Sequence, residues 1–520
     1  MNHAHKEIKK AMQGNKNTEP ATPAAADHVS SHPSGYRMFS DAQLDEIHLA
    51  SLEILRRTGV RVYEAEALAL LREAGCAVSD ETLVRFPAAV VENALLYAPS
   101  RVVLCDRNGQ PRLFLEGHRT YFGTGSDLPN TRDLETGERR PSLLSDVENT
   151  ARLADSLPNL DFVMSMALPA DVPAETSDRR SFLAMTENTL KPLVFTAWDE
   201  AGLADIIAMA QVIAGGAEEL ALRPFLLAYL EPSSPLRHTE VVLRKMLMMA
   251  DHGLPFVYAP GPLDGATAPV TPAGALAMAN AEVLSGLAIA QLRRKGTPFV
   301  WGSGSGPLDM QTMAAVYAAP EFMWNCMGIA ELAHYYYHLP AWGFSGCSDS
   351  KLPDMQAGIE SALWILWTAL SGANLVHDIG YIESGLTCSY EMIVVNDEII
   401  GFVRHLMGGI ELSAETLAMD VIDEVGPGGS YLGTSHTVRH FKEVWSPRLF
   451  DRRTYQAWAD AGQPTPLKTA RETARQAIAS PPASPLPAET LDALRQIVAE
   501  ADARAGVPRN PPGVAEPARR

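Results

Sequence analysis

Short apolar runs recur through the middle of the chain and alternate with longer amphipathic stretches. The strand-like runs cover 120–124, 161–168, 192–197, 224–230, 255–260, 298–303, 340–345 and 374–379. Helical periodicity fills most of the intervals between them, at 143–156, 201–214, 237–251, 272–294, 320–338 and 354–371. This alternation predicts an α/β fold. Eight strand–helix units are what a (β/α)8 TIM barrel requires, and a doubly wound open sheet is the alternative.

The flanking segments differ in composition and predict four further regions. Residues 1–36, rich in Ala, Pro, His and Ser, predict a disordered tail. Residues 37–118 predict a helical and β lead-in, which starts at the capping-box sequence Ser40-Asp-Ala-Gln43 and has a hairpin turn at Asn108-Gly109. After a barrel domain at 119–405 come a C-terminal helical extension at 406–506 and a Pro-rich disordered tail at 507–520.

Composition narrows the function. With 520 residues, of which 46% are hydrophobic, the chain can bury a sizeable core. A formal net charge of −19 argues against nucleic acid as a partner, because phosphate contacts need basic patches. The five cysteines are scattered without a CxxC pair, and no apolar signal core or membrane span is evident. These features predict a cytoplasmic protein without a membrane association.

Aromatic residues mark most of the predicted strand ends, where barrel enzymes carry their sites. A ring that faces a pocket can hold an organic cation over its π-face, although core capping is the better explanation for any single ring. The rings together predict a pocket for an alkylammonium group. Its predicted substrate-binding residues are Trp198, Tyr229, Tyr258, Trp301, Trp342, Phe344, His377 and Tyr381.

Carboxylates accompany the rings and would compensate the charge of a bound cation. Glu231, Asp378 and Glu391 are the predicted catalytic residues, whereas Asp354 has the position of a helix cap. The glycine loop 302–306 lacks the spacing of a nucleotide-binding motif. Gly304 in this loop is instead predicted to let backbone N–H groups approach an anion such as a substrate carboxylate, for which Lys351 and His377 are further candidates.

Metal ligation is the remaining chemistry to consider. Cys326, Cys347, Cys388 and His377 lie near late strands, but their spacing is loose and no HxxxH or CxC element supports a zinc site there. No metal ligand is therefore predicted. A zinc-dependent enzyme stays as an alternative interpretation.

The segment from 341 to 400 resembles the trimethylamine methyltransferase family. The pieces that carry the resemblance, in order, are Gly346-Cys-Ser-Asp-Ser-Lys351, Asp354-Met-Gln-Ala-Gly-Ile-Glu360, Gly372-Ala-Asn374, Gly385-Leu-Thr-Cys-Ser-Tyr-Glu391 and Asn396-Asp-Glu-Ile-Ile400. A weaker likeness extends over about 38–505. The resemblance implies a TIM barrel that removes a methyl group from a methylated amine. It also implies a corrinoid protein as the partner that accepts this methyl group on cobalt.

The resemblance further implies that no cofactor is tightly bound, because the partner carries the cobalamin. Family members that act on trimethylamine carry pyrrolysine, and this chain has only standard residues, which favours a quaternary amine such as glycine betaine. A zinc-dependent methyltransferase for a thiol or methanol, and a non-catalytic barrel that binds quaternary ammonium ligands, are the alternatives. A homo-oligomer is compatible with the sequence, but no residue pattern requires one.

Overall fold

A computed structural model describes residues 36–507 and confirms the predicted α/β fold. All but the innermost residue of each predicted tail, 1–36 and 507–520, lie outside the described residues. The predicted alternation of strand and helix is present from Tyr121 onward. The main core lies between the parallel strands and the helices that cover them.

The parallel strands form two sheets that are bridged at their edges. Phe299–Trp301, Phe256–Tyr258, Leu226–Leu230 and Leu193–Phe195 follow one another in the first sheet, and Trp342–Phe344, Leu375–His377 and Tyr121–Phe122 in the second. Single parallel bridges connect the sheets, from Trp301 to Ala341 on one side and through Gly123–Phe162 and Val163–Leu193 on the other. Each of the eight predicted apolar runs therefore contributes a strand or a bridge, in chain order.

Helices follow the strands and cover them. They are Leu144–Ser156, Ser177–Asn188, Glu200–Ala214, Ala217–Leu222, Glu240–His252, Pro272–Arg293, Pro320–Glu331, the π-helical Leu332–Tyr337, Met355–Ser371 and Tyr390–Met407. The sequence pattern missed Ser177–Asn188. Two of its charged residues are buried, where Arg179 pairs with Asp178 at 2.9 Å and with Asp205 at 3.1 Å, so its inner face does not look apolar.

Local capping fixes where the helices start and end. Asp354 accepts a hydrogen bond from the N–H of Ala357 at 3.0 Å, which confirms its predicted role as a cap. The same helix ends at Gly372, whose φ of 76° is the left-handed conformation that glycine adopts without strain.

The lead-in before the strands is mixed helix and sheet. Its helices are Asp41–Arg57, Ala65–Glu73 and Ala88–Tyr97, and Val102–Cys105 pairs with Pro111–Leu115 in the predicted hairpin. The predicted capping box of Ser40 and Gln43 is confirmed. Three-residue strands, too short to show a periodic pattern, were not predicted: Val60–Val62, Ala77–Ser79 and Leu83–Arg85, joined by Arg237–His238.

Additional short strands lie in the connections that follow the parallel strands. Asn130–Arg132, Arg139–Pro141, Tyr381–Ile382 and Thr387–Ser389 form one sheet, and Leu263–Asp264, Gly306–Asp309 and Ala314–Ala315 form another. They order loops that carry several residues of the candidate site described below.

Among the described residues, one helix, Pro272–Arg293, is both long and apolar. It has the length and composition of a membrane span, but 89% of its apolar stretch is buried inside the protein. It packs against Asp41–Arg57 and Ala88–Tyr97 of the lead-in. Its apolar character is accounted for by this core position.

Beyond Met407 the described chain consists of helices and loops. The helices are Ala414–Leu417, Met419–Val425, Ser435–His440, Tyr455–Asp460, Pro466–Ala479 and Ala488–Arg504. The last two return to the body of the protein, where they pack on Tyr390–Met407 and Glu200–Ala214 respectively.

Candidate active site at the carboxyl ends of the strands

A cavity of about 460 Å³ opens at the carboxyl ends of the parallel strands. Every one of the eight strand positions supplies at least one lining residue, at or just after its end. In chain order these residues include Asp127, Ser165, Trp198, Tyr229, Glu231, Gly261, Gly304, Phe344, His377 and Asp378. This is the location that the strand-end argument predicted for a site.

Aromatic rings form much of the cavity wall. Of the predicted rings, Trp198, Tyr229, Phe344, His377 and Tyr381 line it. The ring centroids of Phe344 and His377 are 4.3 Å apart, and those of Tyr229 and His377 are 5.8 Å apart. The wall therefore presents several π-faces to one small volume, which suits an organic cation.

Two carboxylates on opposite loops give the cavity a negative character. The Glu231 carboxylate faces the cavity and is accessible through it, but protein surrounds the cavity on most sides. This surrounding protein, together with the charges of Asp127 and Asp378, raises the pKa of Glu231 to about 7. Burial also raises the pKa of Asp127, whose carboxylate accepts a hydrogen bond from the Ser165 hydroxyl at 3.3 Å. Both groups would ionise more readily beside a positive ligand.

His377 and Asp378 form an unusual pair at the floor of the cavity. Their Nδ1 and Oδ1 atoms are 2.8 Å apart, yet the alignment does not make a hydrogen bond, and both ring nitrogens of His377 lack a partner. Asp378 has a φ of 74° and Asp127 one of 61°, in the left-handed region that is uncommon for residues other than glycine. Unpartnered polar atoms and strained backbone at one cavity mark a functional site.

One ammonium group reaches the cavity but is already engaged. Lys245 lines it from the helix Glu240–His252 and donates to the carbonyl of Ala197 at 2.5 Å, and burial lowers its pKa. The lining carboxylate of Asp178 is paired with Arg179. Glu231, Asp127 and Asp378 are therefore the carboxylates left to face a cationic ligand.

The family relationship of the chain follows from its sequence. The model of the trimethylamine methyltransferase (MTTB) family matches residues 6–506. The chain belongs to this family.

Its relatives are named as methyltransferases of methylated amines. A trimethylamine methyltransferase MttB of Desulfitobacterium hafniense is 33% identical over 477 residues, which cover 92% of this chain and 96% of that protein. A glycine betaine methyltransferase of the same species is 31% identical over 427 residues, covering 82% and 88% of the two chains. The crystal structure of the Methanosarcina barkeri monomethylamine methyltransferase MtmB aligns with a TM-score of 0.48 at 10% identity, over 90% of this chain and 89% of that one. The protein is a methyltransferase, as predicted.

Three predicted substrate-binding rings of this methyltransferase lie outside the cavity. Tyr258 points to the helix layer, where its hydroxyl meets His238 Nδ1 at 2.6 Å, and the Trp301 ring stacks on Tyr337 at 4.6 Å. Trp342 packs beneath the cavity, 4.5 Å from His377. Tyr258 and Trp301 belong to the core, and Trp342 supports the cavity floor without lining it.

Glu391, predicted as catalytic, lies elsewhere in the methyltransferase. Its carboxylate is fully buried and accepts hydrogen bonds from Arg471 at 2.9 and 3.1 Å and from the Ser389 hydroxyl at 3.2 Å. Arg471 belongs to the helix Pro466–Ala479, so the pair fastens the C-terminal extension to the protein body. We assign Glu391 this structural contact and leave it out of the candidate site.

Two of the three predicted anion-binding donors already donate hydrogen bonds to backbone carbonyls. The Gly304 N–H donates to the carbonyl of Pro260 at 2.8 Å, and Lys351 is exposed and donates to the carbonyl of Asp349 at 2.8 Å. Gly304 has another reason to be glycine, because a Cβ there would lie 2.6 Å from the Phe344 ring. Of the predicted donors, only His377 offers free nitrogen atoms to the cavity.

Metal-ligating side chains converge at one place within residues 36–507. Glu415, His436 and His440 bring one ligand atom each within 4.8 Å of one another in the C-terminal region. These groups already bond to protein, since Glu415 pairs with Arg439 and with His440. The cysteines that the zinc alternative invokes are buried, and for Cys326 and Cys347 this burial raises the pKa of the thiol.

Several lining residues escaped the sequence analysis. Asp127 follows Gly123-Thr-Gly125 just beyond the first predicted strand, so the strand-end argument extends to it. Tyr317 comes from the far side of a short hairpin, and Lys245 and Asp178 reach in from helices. No strand-end pattern points to these last three.

Proposed function

We propose that the protein transfers a methyl group from a quaternary amine, of the glycine betaine type, to the Co(I) of a partner corrinoid protein. The observation that carries the proposal is the cavity itself, which has five of the predicted aromatic side chains and three carboxylates, Asp127, Glu231 and Asp378, none of which forms a salt bridge with an arginine or lysine of the described residues. In the described residues no arginine lines this cavity, and its lysine is held by a carbonyl. Such a wall fits a permanently cationic ligand.

The chemistry of a quaternary amine matches this wall. The Co(I) nucleophile attacks the methyl carbon, the C–N bond breaks, and its electron pair stays on nitrogen as a neutral tertiary amine. No proton has to be delivered to the leaving group. The protein then has to exclude water, hold the cation and align one methyl group with the acceptor.

A betaine adds a carboxylate that the cavity must also receive. Neither ring nitrogen of His377 hydrogen-bonds to a protein group, so the nitrogen that carries the proton is available to donate to this carboxylate. His377 also contacts the Phe344 ring, so one residue would bind the carboxylate while its neighbour faces the ammonium. The absence of pyrrolysine from the sequence supports a quaternary amine over trimethylamine.

The fold supports the approach of a large methyl acceptor from one side. We infer that the eight strand positions close into the (β/α)8 barrel that the sequence predicts, since parallel bridges connect both pairs of sheet edges. The cavity then opens only at the carboxyl end. The proposal includes that the protein is soluble and works in the cytoplasm, because a corrinoid partner in the Co(I) state requires a reducing environment.

Exposed apolar side chains surround the mouth of the cavity and suit transient docking of that partner. They come from the connections after different strands: Trp198, Val270, Met310, Met313, Leu352 and Leu386. Met310 and Val270 both lie over Gly265, and Leu386 follows Gly385, which lines the cavity. We define these six residues as the mouth rim.

A methyl-transfer assay tests the proposal. Purified protein is mixed with chemically reduced cob(I)alamin and with glycine betaine, choline, carnitine or trimethylamine, and formation of methylcobalamin is followed by absorption. We expect transfer from a quaternary amine. Calorimetric binding of quaternary amines without transfer, to free cob(I)alamin or to a corrinoid protein, would refute the proposal in favour of a binding barrel. Transfer that needs added zinc and a thiol or methanol would favour the zinc-dependent alternative.

A further inference from the structure

One cluster of metal-ligating side chains lies outside the cavity, in the C-terminal region of the chain. Glu415, His436 and His440 each bring one ligand atom within 4.8 Å of the others. The two histidines are four residues apart on the helix Ser435–His440, so their rings lie on one face, with the centroids 4.3 Å apart. Glu415 reaches them from a separate helix, Ala414–Leu417. Two imidazoles and one carboxylate are a ligand set that zinc uses in proteins.

The separations in this cluster are close to those around a bound zinc ion. Ligand atoms at about 2.0–2.1 Å from a tetrahedral zinc lie roughly 3.3 Å from one another. Nε2 of His440 and Oε1 of Glu415 are already 3.1 Å apart. Because all three ligand atoms lie within 4.8 Å of one another, shifts of roughly 1.5 Å close the cluster around an ion. The Glu415 side chain is 56% exposed and has room for such a rotation.

The other polar atoms of the cluster are held as they are around protein-bound metals. His440 directs Nε2 to Glu415, while its Nδ1 lies 2.6 Å from Glu443. Nε2 of His436 lies 3.2 Å from the Glu415 carbonyl oxygen. Metal-bound histidines hold one ring nitrogen against a carboxylate or a carbonyl in this way and keep the other for the ion. Arg439 and His440 both contact Oε1 of Glu415, so Oε2 accepts no hydrogen bond from the described residues.

The chain around the cluster has little else to stabilise it. The helices Ala414–Leu417 and Ser435–His440 have no buried residue, and helices this short are marginal in water without tertiary packing. Arg439 and His440 pair with Glu415 across the two helices, but exposed ion pairs contribute little stability. A metal ion would join Glu415 to a side chain 21 residues further along the chain and would close the loop between them.

We propose that Glu415, His436 and His440 bind a zinc ion that stabilises the segment 411–443. Two of the three ligands are imidazoles, which suit zinc, whereas magnesium and calcium prefer oxygen ligands. The fourth position of the ion is left to water. None of the three residues lines the cavity, so the inference is independent of the proposed methyl transfer. A zinc ion bound here is consequently no evidence for a zinc-dependent reaction.

Titration calorimetry tests the site on the full chain, freed of metal by a chelator, with zinc chloride as the probe. We expect one zinc ion per chain. Glu443→Gln removes only the outer partner of His440 and should weaken binding by about 10–100-fold, and His436→Gln/His440→Gln should weaken it further. His252→Gln is the matched control, because His252 is exposed at the end of another helix, Glu240–His252, and is not in the cluster. No zinc binding by wild-type protein, or equal binding by the double variant, would overturn the inference.

X-ray absorption at the zinc edge identifies the atoms that bind the ion. We expect nitrogen and oxygen ligands at about 2.0–2.1 Å, with the outer scattering of two imidazole rings. A zinc–sulfur distance of about 2.3 Å would mean that cysteine binds the ion and would overturn the assignment.

Hydrogen exchange measures what the ion does for the segment. Zinc should slow the exchange of amides within 411–443 in wild-type protein and leave the double variant unchanged. The core helix Pro272–Arg293 should be equally protected in both proteins, which shows that the variant is folded. Zinc binding that leaves the exchange of 411–443 unchanged in wild-type protein would refute the stabilising role.

Discussion

The protonation state of Glu231 should control how tightly the cavity binds a cation. Its pKa is raised to about 7 by burial and by the neighbouring charges of Asp127 and Asp378. A bound quaternary ammonium group stabilises the ionised form of Glu231, and the ionised form in turn binds the ammonium group more tightly than the protonated form does. Binding should therefore strengthen as the pH rises through 7, in contrast to a site whose carboxylates have ordinary pKa values and are fully ionised above pH 6.

The size of the effect follows from the fraction of Glu231 that is ionised. A group with a pKa of about 7 is roughly 9% ionised at pH 6 and roughly 91% ionised at pH 8. If only the ionised form binds the cation, the dissociation constant should fall about tenfold between these two pH values. Above pH 8 the affinity should level off.

Titration calorimetry with tetramethylammonium measures this directly, because the ligand has no titratable group. Wild-type protein should show the tenfold change, whereas Glu231→Gln should bind weakly and equally at pH 6 and pH 8. Glu282→Gln is the matched control. The pKa of Glu282 is also raised to about 7 by burial, but its carboxylate accepts hydrogen bonds from Ser234 and Leu236 outside the cavity.

Unfolding curves of wild type and both variants at each pH show whether the binding experiments compare folded proteins. Because the pKa of Glu282 is raised in the folded protein, its contribution to the free energy of unfolding is complete below its ordinary pKa of 4.5. This contribution is lost as the pH rises through about 7. Glu282→Gln should therefore gain stability relative to wild type toward pH 8 while keeping the tenfold binding change. Wild-type binding that does not vary with pH, or an unchanged pH dependence in Glu231→Gln, would refute the role of Glu231.

Two further predictions separate the site from the structural residues around it. Phe344→Leu should weaken tetramethylammonium binding by roughly two- to thirtyfold and spare a neutral ligand of similar shape such as neopentyl alcohol, because a ring contributes about 0.5–2 kcal/mol to binding a cation. Calorimetry with both ligands measures the two affinities, and Trp301→Leu should leave their ratio unchanged. Arg471→Ala should lower the urea-derived stability by about 3–5 kcal/mol, because it strands the buried Glu391 carboxylate. Arg475→Ala on the same helix loses only an exposed pair and should change stability far less, so equal losses in the two variants would contradict the argument.

Sequence patterns placed the cavity well but oriented individual rings poorly. The apolar runs locate each strand end, yet adjacent strand residues point to opposite faces. A Cβ on Gly302 would touch Val257, Ala259 and Trp342, so these residues face the inside of the sheet. Tyr258 and Trp301, one position away, consequently face the helices. A one-residue uncertainty in register is enough to exchange a cavity residue for a core residue.

The sequence by itself determined the α/β alternation, the family and the strand-end positions of Glu231 and Asp378, because these depend on local periodicity and on contiguous motifs. Only the tertiary structure decided which charges face the cavity and which are neutralised elsewhere. Glu391 meets an arginine 80 residues further along the chain, and Lys245 enters the cavity from a helix. Contacts between distant segments set burial and pairing, and burial and pairing decide whether a carboxylate binds a ligand or stabilises the fold.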